Sequence, residues 1–379
     1  MSHFRGKMQQ YNYANDRFNI MAIDALIFNR PSRTIQDMKK HPLTYTTPRN
    51  GAIVYSTPPP TPPPYCPPIS LSDIATYNSG EGYWELNPNA TILACQTLTI
   101  RVGEELQINS GDSTLTLINN GIIINNGTIT NNSGIIENNF LIENFYIIIN
   151  NSSFLNTNGE VINSGTITNN YLINSSGIIN NYDKINNNLA IDNYGTVNNN
   201  NTIDNSGTIS NNSGKINNND GGTITNHASI VNNNDGTITN DGTINNYSGT
   251  ITNNASIVNN NDGTITNDDI IVNSLTIENY GSISNTKTFS SDGTFTNYGN
   301  GTIKIYTSNG VLTNQFDFFN DPDGNIYVYN NGTLNVDEGS FQNDGNVYTG
   351  DPNTCGSGTV TGVLSPNTVI PNICPPAQA

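Results

Sequence analysis

The sequence predicts an all-β chain wound as a parallel β-solenoid, and three observations carry that expectation. From about Asn119 to Ile303 one phrase, Gly-Thr-Ile-x-Asn-Asn, returns again and again, with an aliphatic residue at nearly every sixth position. Ile123, Ile129, Ile136, Ile142 and Ile148 open that series, Leu155 and Val161 continue it, and Ile283, Phe289, Phe295 and Ile303 close it. The residues on either side of each aliphatic are Thr, Ser, Asn, Asp, Lys or Glu, as expected of a strand whose neighbours face outward. Asn and Gly fill the intervals, where a tight corner asks for residues that tolerate positive φ. A period of six fits neither a helix nor a hairpin meander; it fits one short strand plus one corner, stacked repeatedly.

Composition alone points elsewhere. Hydrophobic residues make up 34% and charged residues 11%, and nearly a fifth of the chain is Asn, which suggests a disordered or prion-like tract. Periodicity decides against disorder, because a random polar tract does not return Ile to one register almost thirty times. The Asn amides are expected to bond from coil to coil as a ladder, giving cohesion to a thin core.

The elements follow in order. Residues 1–50 are non-repetitive and basic, with eight Lys or Arg against three Asp or Glu, whereas the remainder carries five against 27. That asymmetry within a net charge of −17 predicts an anchor segment on an acidic rod that repels nucleic acid. Asn19–Phe28 reads as one short helix ended by Pro31. Residues 51–69 contain consecutive prolines and form a stiff polyproline spacer. Residues 70–118 alternate apolar and polar and are expected to cap the solenoid, shielding its open strand edge. Residues 119–303 are the shaft. Residues 304–379 lose the register and read as an irregular β tip, either further coils or a small domain, with a Cys- and Pro-rich tail. Neither a secretory signal nor a run of membrane-spanning length is visible.

The number of strands per coil is read as two, with three as the alternative. From Ile216 the intervals between aliphatics run 8, 6, 8, 6, 7, 6, 8, 6, so long corners fall on every second step. Four outward pairs alternate in phase with them: Thr223 with Thr225, Thr237 with Thr239, Thr250 with Thr252, and Thr264 with Thr266. A two-sided, flattened coil would stack these pairs on one face as a surface Thr ladder. Residues 222–241 and 249–268 are nearly identical, so duplication also produces the alternation, and the strict sixes upstream suit three sides equally.

Chemistry is sparse. His3, His41 and His227 are scattered, so no nucleophile, base and orienting group assemble. No catalytic, cofactor-binding or metal-binding residue is assigned, and no cofactor is expected. Glu137 with Glu143, and Asp192 with Asp204, occupy equivalent outward slots in different repeats, but other repeats place Asn, Thr or Lys there, as solvated surface would. Asp321-Pro-Asp-Gly-Asn325 opens like a calcium loop, then fails at Ile326 and Gly332, leaving a turn. Cys66, Cys95, Cys355 and Cys374 lie outside the repeats; a Cys355–Cys374 disulfide and free buried thiols are equally compatible with the spacing.

The segment from Gln96-Thr-Leu-Thr-Ile through Asn125-Asn-Gly-Thr-Ile-Thr-Asn resembles Asn-rich β-helix repeat proteins, found among bacterial surface proteins and in giant DNA viruses. The resemblance covers roughly residues 90–305 and brings no catalytic residues. With the basic head and Pro-rich spacer it implies a non-enzymatic virion fibre, capsid-decoration or surface-attachment protein, located on the virion or otherwise at a cell surface reached without a signal peptide. The partners it implies are other virion or surface structural proteins through residues 1–69, host glycans, and further copies of the chain in a trimer. The competing classes are a carbohydrate-binding or polysaccharide-cleaving β-helix and, on the Thr ladder, an ice-binding β-solenoid.

Overall fold

The computed structural model describes residues 66–349 apart from 89, 110–114, 308, 330 and 337–340, together with the backbone of short strands at Thr359–Thr361, Leu364–Ser365 and Val369–Pro371. The chain divides into residues 1–64 and 65–379. The expected anchor, its helix, most of the Pro-rich spacer and the Cys355–Cys374 pair lie outside the described residues.

Each repeat forms a four-residue strand such as Ile122–Asn125 or Thr166–Asn169, in which the second and fourth side chains are buried and the first and third are half-exposed. This is the two-residue period of a strand. The second residue is the aliphatic of the repeat and the fourth is Asn, so both line the interior. The aliphatics of the series are buried along its whole length, with one correction: at the strand Ser153–Asn156 the inward residue is Phe154, and Leu155 faces outward. The pairing fixes this, since Phe154 sits in register with Ile136 and Ile173.

Three strands make one coil. Leu141–Asn144 lies in parallel register between Ile122–Asn125 and Glu160–Asn163, and the same step of three holds throughout. The flattened two-sided winding therefore gives way to a triangular one. Face 1 begins at β3 (Thr91–Ile92), face 2 at β4 (Thr97–Ile100) and face 3 at β5 (Glu105–Ile108). Faces 1 and 2 carry 14 strands each, so at about 4.8 Å per coil the solenoid is roughly 60 Å long. Face 3 gains β1 (Ala75–Asn78) and β2 (Tyr83–Leu86), which pair antiparallel with each other and, through β2, cover the edge of β5. A one-turn helix, α1 (Leu71–Ile74), buries Leu71 and Ile74 against the same end. The amino-terminal edge is thus closed by a reversed strand and a helical turn, neither of which templates another coil.

The winding also includes the strands that follow Ile303. Val311–Asn314, Phe318–Asn320 and Asn325–Tyr329 each pair in parallel with the strand three before them. Here the interior becomes more apolar. Phe289, Phe295, Phe318 and Phe341 stack with centroids 5.1, 4.9 and 4.7 Å apart, and Ile305 and Val328 stand where Asn stood in earlier coils.

The inward Asn residues are fully buried and bond along the axis. Asn125 Nδ2 donates to Asn144 Oδ1 at 2.7 Å and to the Ile147 carbonyl at 2.8 Å; Asn144 Nδ2 continues to Asn163 Oδ1 at 2.7 Å. Most of these amides thereby link their own coil to the next at two points, one on the side-chain ladder and one on the backbone beyond the corner. The ladder foreseen from composition is therefore an interior structure. Two oxygens mark its ends: Asn125 Oδ1 lacks a donor because Ile100 precedes it, and Asn314 Oδ1 lacks one because Ser291 Oγ donates to the Gly293 carbonyl. Between the ladders the aliphatics leave a narrow void of about 40 Å³ along the coils from Phe154 to Phe289, a dry packing gap.

Corner glycines serve a different need from the one expected. Among the described residues only Gly82, Gly103 and Gly221 have positive φ among glycines. A corner such as Gly165 has an ordinary φ, but a Cβ there would overlap the Tyr146 carbonyl of the previous coil. Corners stack as closely as strands do, and the missing side chain makes room.

Candidate functional site

The three outward faces and the corners between them are the surface on which any site must be built. The expected Thr ladder is corrected here, because the four Thr-Ile-Thr strands do not form paired ranks. Thr223 and Thr225 lie on face 3, as do Thr264 and Thr266, with Thr243 and Asn245 between them. Thr237 and Thr239 lie on face 2, where Thr239 is stacked between Asn217 and Val258. Thr250 and Thr252 lie on face 1, where Thr252 is stacked between Val231 and Val272. Neither Thr239 nor Thr252 therefore has a Thr above or below it. Each motif is two strands from the last, and a step of two on a three-strand coil visits every face in turn. The near-identical segments are offset by four strands, so they too land on different faces. What face 3 does carry is one rank of hydroxyls, Thr202, Thr223, Thr243, Thr264, Ser282 and Thr302, in continuous register. Its companion column is mixed: Asp204, Thr225, Asn245, Thr266, Ser284.

The carboxylates singled out in the sequence are likewise dispersed. Glu137 belongs to face 1 and Glu143 to face 2; Asp192 belongs to face 1 and Asp204 to face 3. Asp204 meets Lys184 at 2.7 Å, a half-exposed pair of small energetic weight. Among the described residues no group of three or more His, Cys, Asp or Glu is arranged to hold a metal ion. His227 stacks on Tyr247 of the next coil at 5.7 Å. Asp321–Gly324 closes a turn, the Gly324 N–H donating to the Asp321 carbonyl at 2.8 Å.

Aromatic corner and strand residues form a second kind of surface. Tyr280 and Tyr298 stack at 4.3 Å on the edge leading into face 3, and Tyr327 stacks on Tyr348 at 4.8 Å on that face. Partial burial, the neighbouring Tyr298 ring and the negative charge of Glu278 push the Tyr280 hydroxyl up to about 12. Burial and Tyr348 raise that of Tyr327 as well. Farther toward the amino terminus, Phe140, Phe145, Tyr146 and Tyr171 stand about half exposed on the corners.

A concavity lies at the amino-terminal cap. A cleft of about 310 Å³ opens between the segment Ile69–Ser72, the indole of Trp84 and the outward side of β4, where Thr97 and Thr99 line it together with Arg101 and Glu104 just beyond the strand. Its wall is fastened to the first coil by a Cys66–Cys95 disulfide and by Gln96 Nε2, which donates to the Pro67 carbonyl at 3.2 Å. Gln96 is itself buried and accepts the Leu93 N–H through Oε1 at 2.8 Å. Beside the cleft wall, the Ser70 hydroxyl and N–H both donate to Asp73 Oδ2 at 2.7 Å and hold that carboxyl below the usual range. Sequence reasoning passed over these residues. The available signal was singularity: Trp84 is the chain's one tryptophan, and Arg101 its one arginine after residue 50.

No protein-family model matches the chain, and a comparison with curated proteins gives no match. Among solved structures, the chain is similar to a crystallised fragment of TibA, residues 55–350, hyper-glycosylated by TibC. The likeness covers 75% of this chain and 94% of that one, at 14% identity and a TM-score of 0.32, too low for any property to be carried across.

Proposed function

We propose that this chain is a non-enzymatic structural and attachment protein, a virion fibre or decoration component that displays a β-solenoid and docks through its basic amino-terminal segment. The observation that supports it is the interior amide ladder. Coils are tied to one another by paired amide bonds on all three edges through most of the shaft, and such a core produces reach and stiffness. The charge asymmetry of the sequence supplies the second half: residues 1–50 carry a net positive charge, and the remainder a large negative one. A basic segment ahead of a polyproline spacer suits an acidic structural partner.

Deletion of residues 1–64 tests this reading and retains Cys66. The truncated protein should give the β circular-dichroism spectrum of the full chain yet fail to incorporate into particles, and electron microscopy of its native source should show the full chain at the particle surface. Normal incorporation of the truncated chain would refute the docking assignment.

A further inference from the structure

We propose that the cleft under the amino-terminal cap binds an acidic saccharide, a pyranose bearing a carboxylate, with Trp84 and Arg101 as the recognising pair. The proposal goes beyond the attachment reading and does not depend on it. A 310 Å³ cleft lies at the lower bound for small-ligand sites, a size suited to one or two sugar rings.

Three features of the lining point to one ligand chemistry. The indole of Trp84 is half-buried, packed on the end of the core with Tyr77 tilted against it at 5.1 Å, so a flat apolar surface is held rigidly in the cleft. The Thr97 and Thr99 side chains are exposed and make no hydrogen bond among the described residues, which leaves two hydroxyls to exchange with ligand hydroxyls. The guanidinium of Arg101 is exposed and forms no ion pair among the described residues, although acidic residues outnumber basic ones 27 to five after residue 50. Glu104, a carboxylate that also lines the cleft, is engaged otherwise: its Oε2 accepts the Arg101 backbone N–H at 2.8 Å, and it makes no ion pair with the guanidinium. A planar cation recognises a carboxylate through paired hydrogen bonds. A flat wall, a hydroxyl rim and one planar cation together complement a ring with a C–H face, hydroxyls and a carboxylate. A carboxylate-bearing peptide would satisfy the cation alone.

The wall is preorganised. The Cys66–Cys95 bond and the Gln96–Pro67 hydrogen bond hold the segment leading to Ile69 against the first coil, so little ordering is left for binding to supply.

Because Trp84 is the single tryptophan, its emission in the full-length chain reports on this cleft. Titrations with glucuronate, N-acetylneuraminate, glucose, acetate and a short carboxylate-terminated peptide, each repeated by calorimetry, form the test. Glucuronate or N-acetylneuraminate should bind saturably, at concentrations at least about tenfold below those of glucose, acetate or the peptide. Arg101→Gln should weaken that binding at least about tenfold while leaving the β spectrum unchanged. Thr97→Val with Thr99→Val should weaken acid-sugar binding without improving acetate binding. Absence of saturable binding by both methods, equal binding of acetate or peptide, or an unchanged affinity in Arg101→Gln overturns the proposal. None of these results touches the docking assignment, which is read from particle incorporation of the 1–64 deletion.

Discussion

Replacing a single interior amide tests whether the ladder is the cohesive element of the shaft. Asn187 is fully buried on face 3. It accepts from Asn169 Nδ2 at 2.8 Å and donates to Asn205 Oδ1 at 2.7 Å and to the Thr208 carbonyl at 3.0 Å. In Asn187→Ala the Asn169 amide keeps its bond to the Ala190 carbonyl at 2.7 Å, but Asn205 Oδ1 loses its donor inside a dry core. An unsatisfied buried acceptor costs about 1–3 kcal/mol, and the missing atoms leave a small cavity worth about 1 kcal/mol more. The expected loss is therefore about 3 kcal/mol. The next residue provides an internal control. Asn188 Nδ2 donates to Asn170 Oδ1 at 2.6 Å, but on the exposed corner, where water replaces either partner. Asn188→Ala should cost under about 0.5 kcal/mol. Asn187→Ser should fall between, because Ser175 already accepts from Asn156 Nδ2 at 3.1 Å at an equivalent position. Guanidinium unfolding followed by circular dichroism measures all three, with hydrogen exchange of the flanking coils as a local readout, since a solenoid need not unfold in one step. If Asn187→Ala and Asn188→Ala destabilised equally, the interior ladder would not be what holds the coils together.

Further outcomes follow from the corners, the cap and the tyrosines. Gly165→Ala should destabilise by about 1–3 kcal/mol, since its Cβ meets the Tyr146 backbone, whereas Gly80→Ala, with space around it, should be near neutral by the same assay. Replacing Cys66 and Cys95 by Ser opens a 29-residue loop and should lower stability by about 3–4 kcal/mol, with exchange accelerating first in α1 to β5. Tyr280 should ionise near pH 12 in an absorbance titration at alkaline pH, and Tyr280→Phe should remove that contribution. The sign is set by its raised folded value: stability is fully present below the unfolded tyrosine value of about 10 and is lost as pH rises from there toward 12.

The solenoid was legible because a strand has to bury something at every repeat, and Ile in one register shows it. The three-sided winding was also within reach. From Asn125 to Thr128 the chain has three virtual bonds, at most about 11 Å. Two facing sheets stand about 10 Å apart, so a two-residue corner would be fully stretched in crossing, with nothing left to turn. A triangular coil needs a gentler bend at each corner, which two residues supply. The alternating corner lengths misled because corner insertions project outward and leave the interior register intact: Ile203, Ile224 and Ile244 remain in line although the corner before Ile224 is longer than that before Ile244. Inward Asn was less accessible, since composition marks it as a surface residue, and only pairing with its counterparts above and below lets it be buried. The Cys66–Cys95 link was illegible for a simpler reason: nothing in a proline-rich stretch states which coil it lies against.

A core made this way changes where function should be sought. Two inward positions per repeat are dictated by packing and the ladder, and the corner is dictated by coil-to-coil contact, so repetition there reports construction. Selection for a ligand or partner must act on the remaining outward positions, and it shows as departure from the phrase. By that criterion the Thr-Ile-Thr strands are uninformative, because duplication distributes them over three faces. The aromatic corners Phe140, Phe145, Tyr146 and Tyr171, and the cleft of Trp84 and Arg101, are departures that construction does not require. A fold whose interior is specified largely by two residue types leaves its exceptions unusually easy to read.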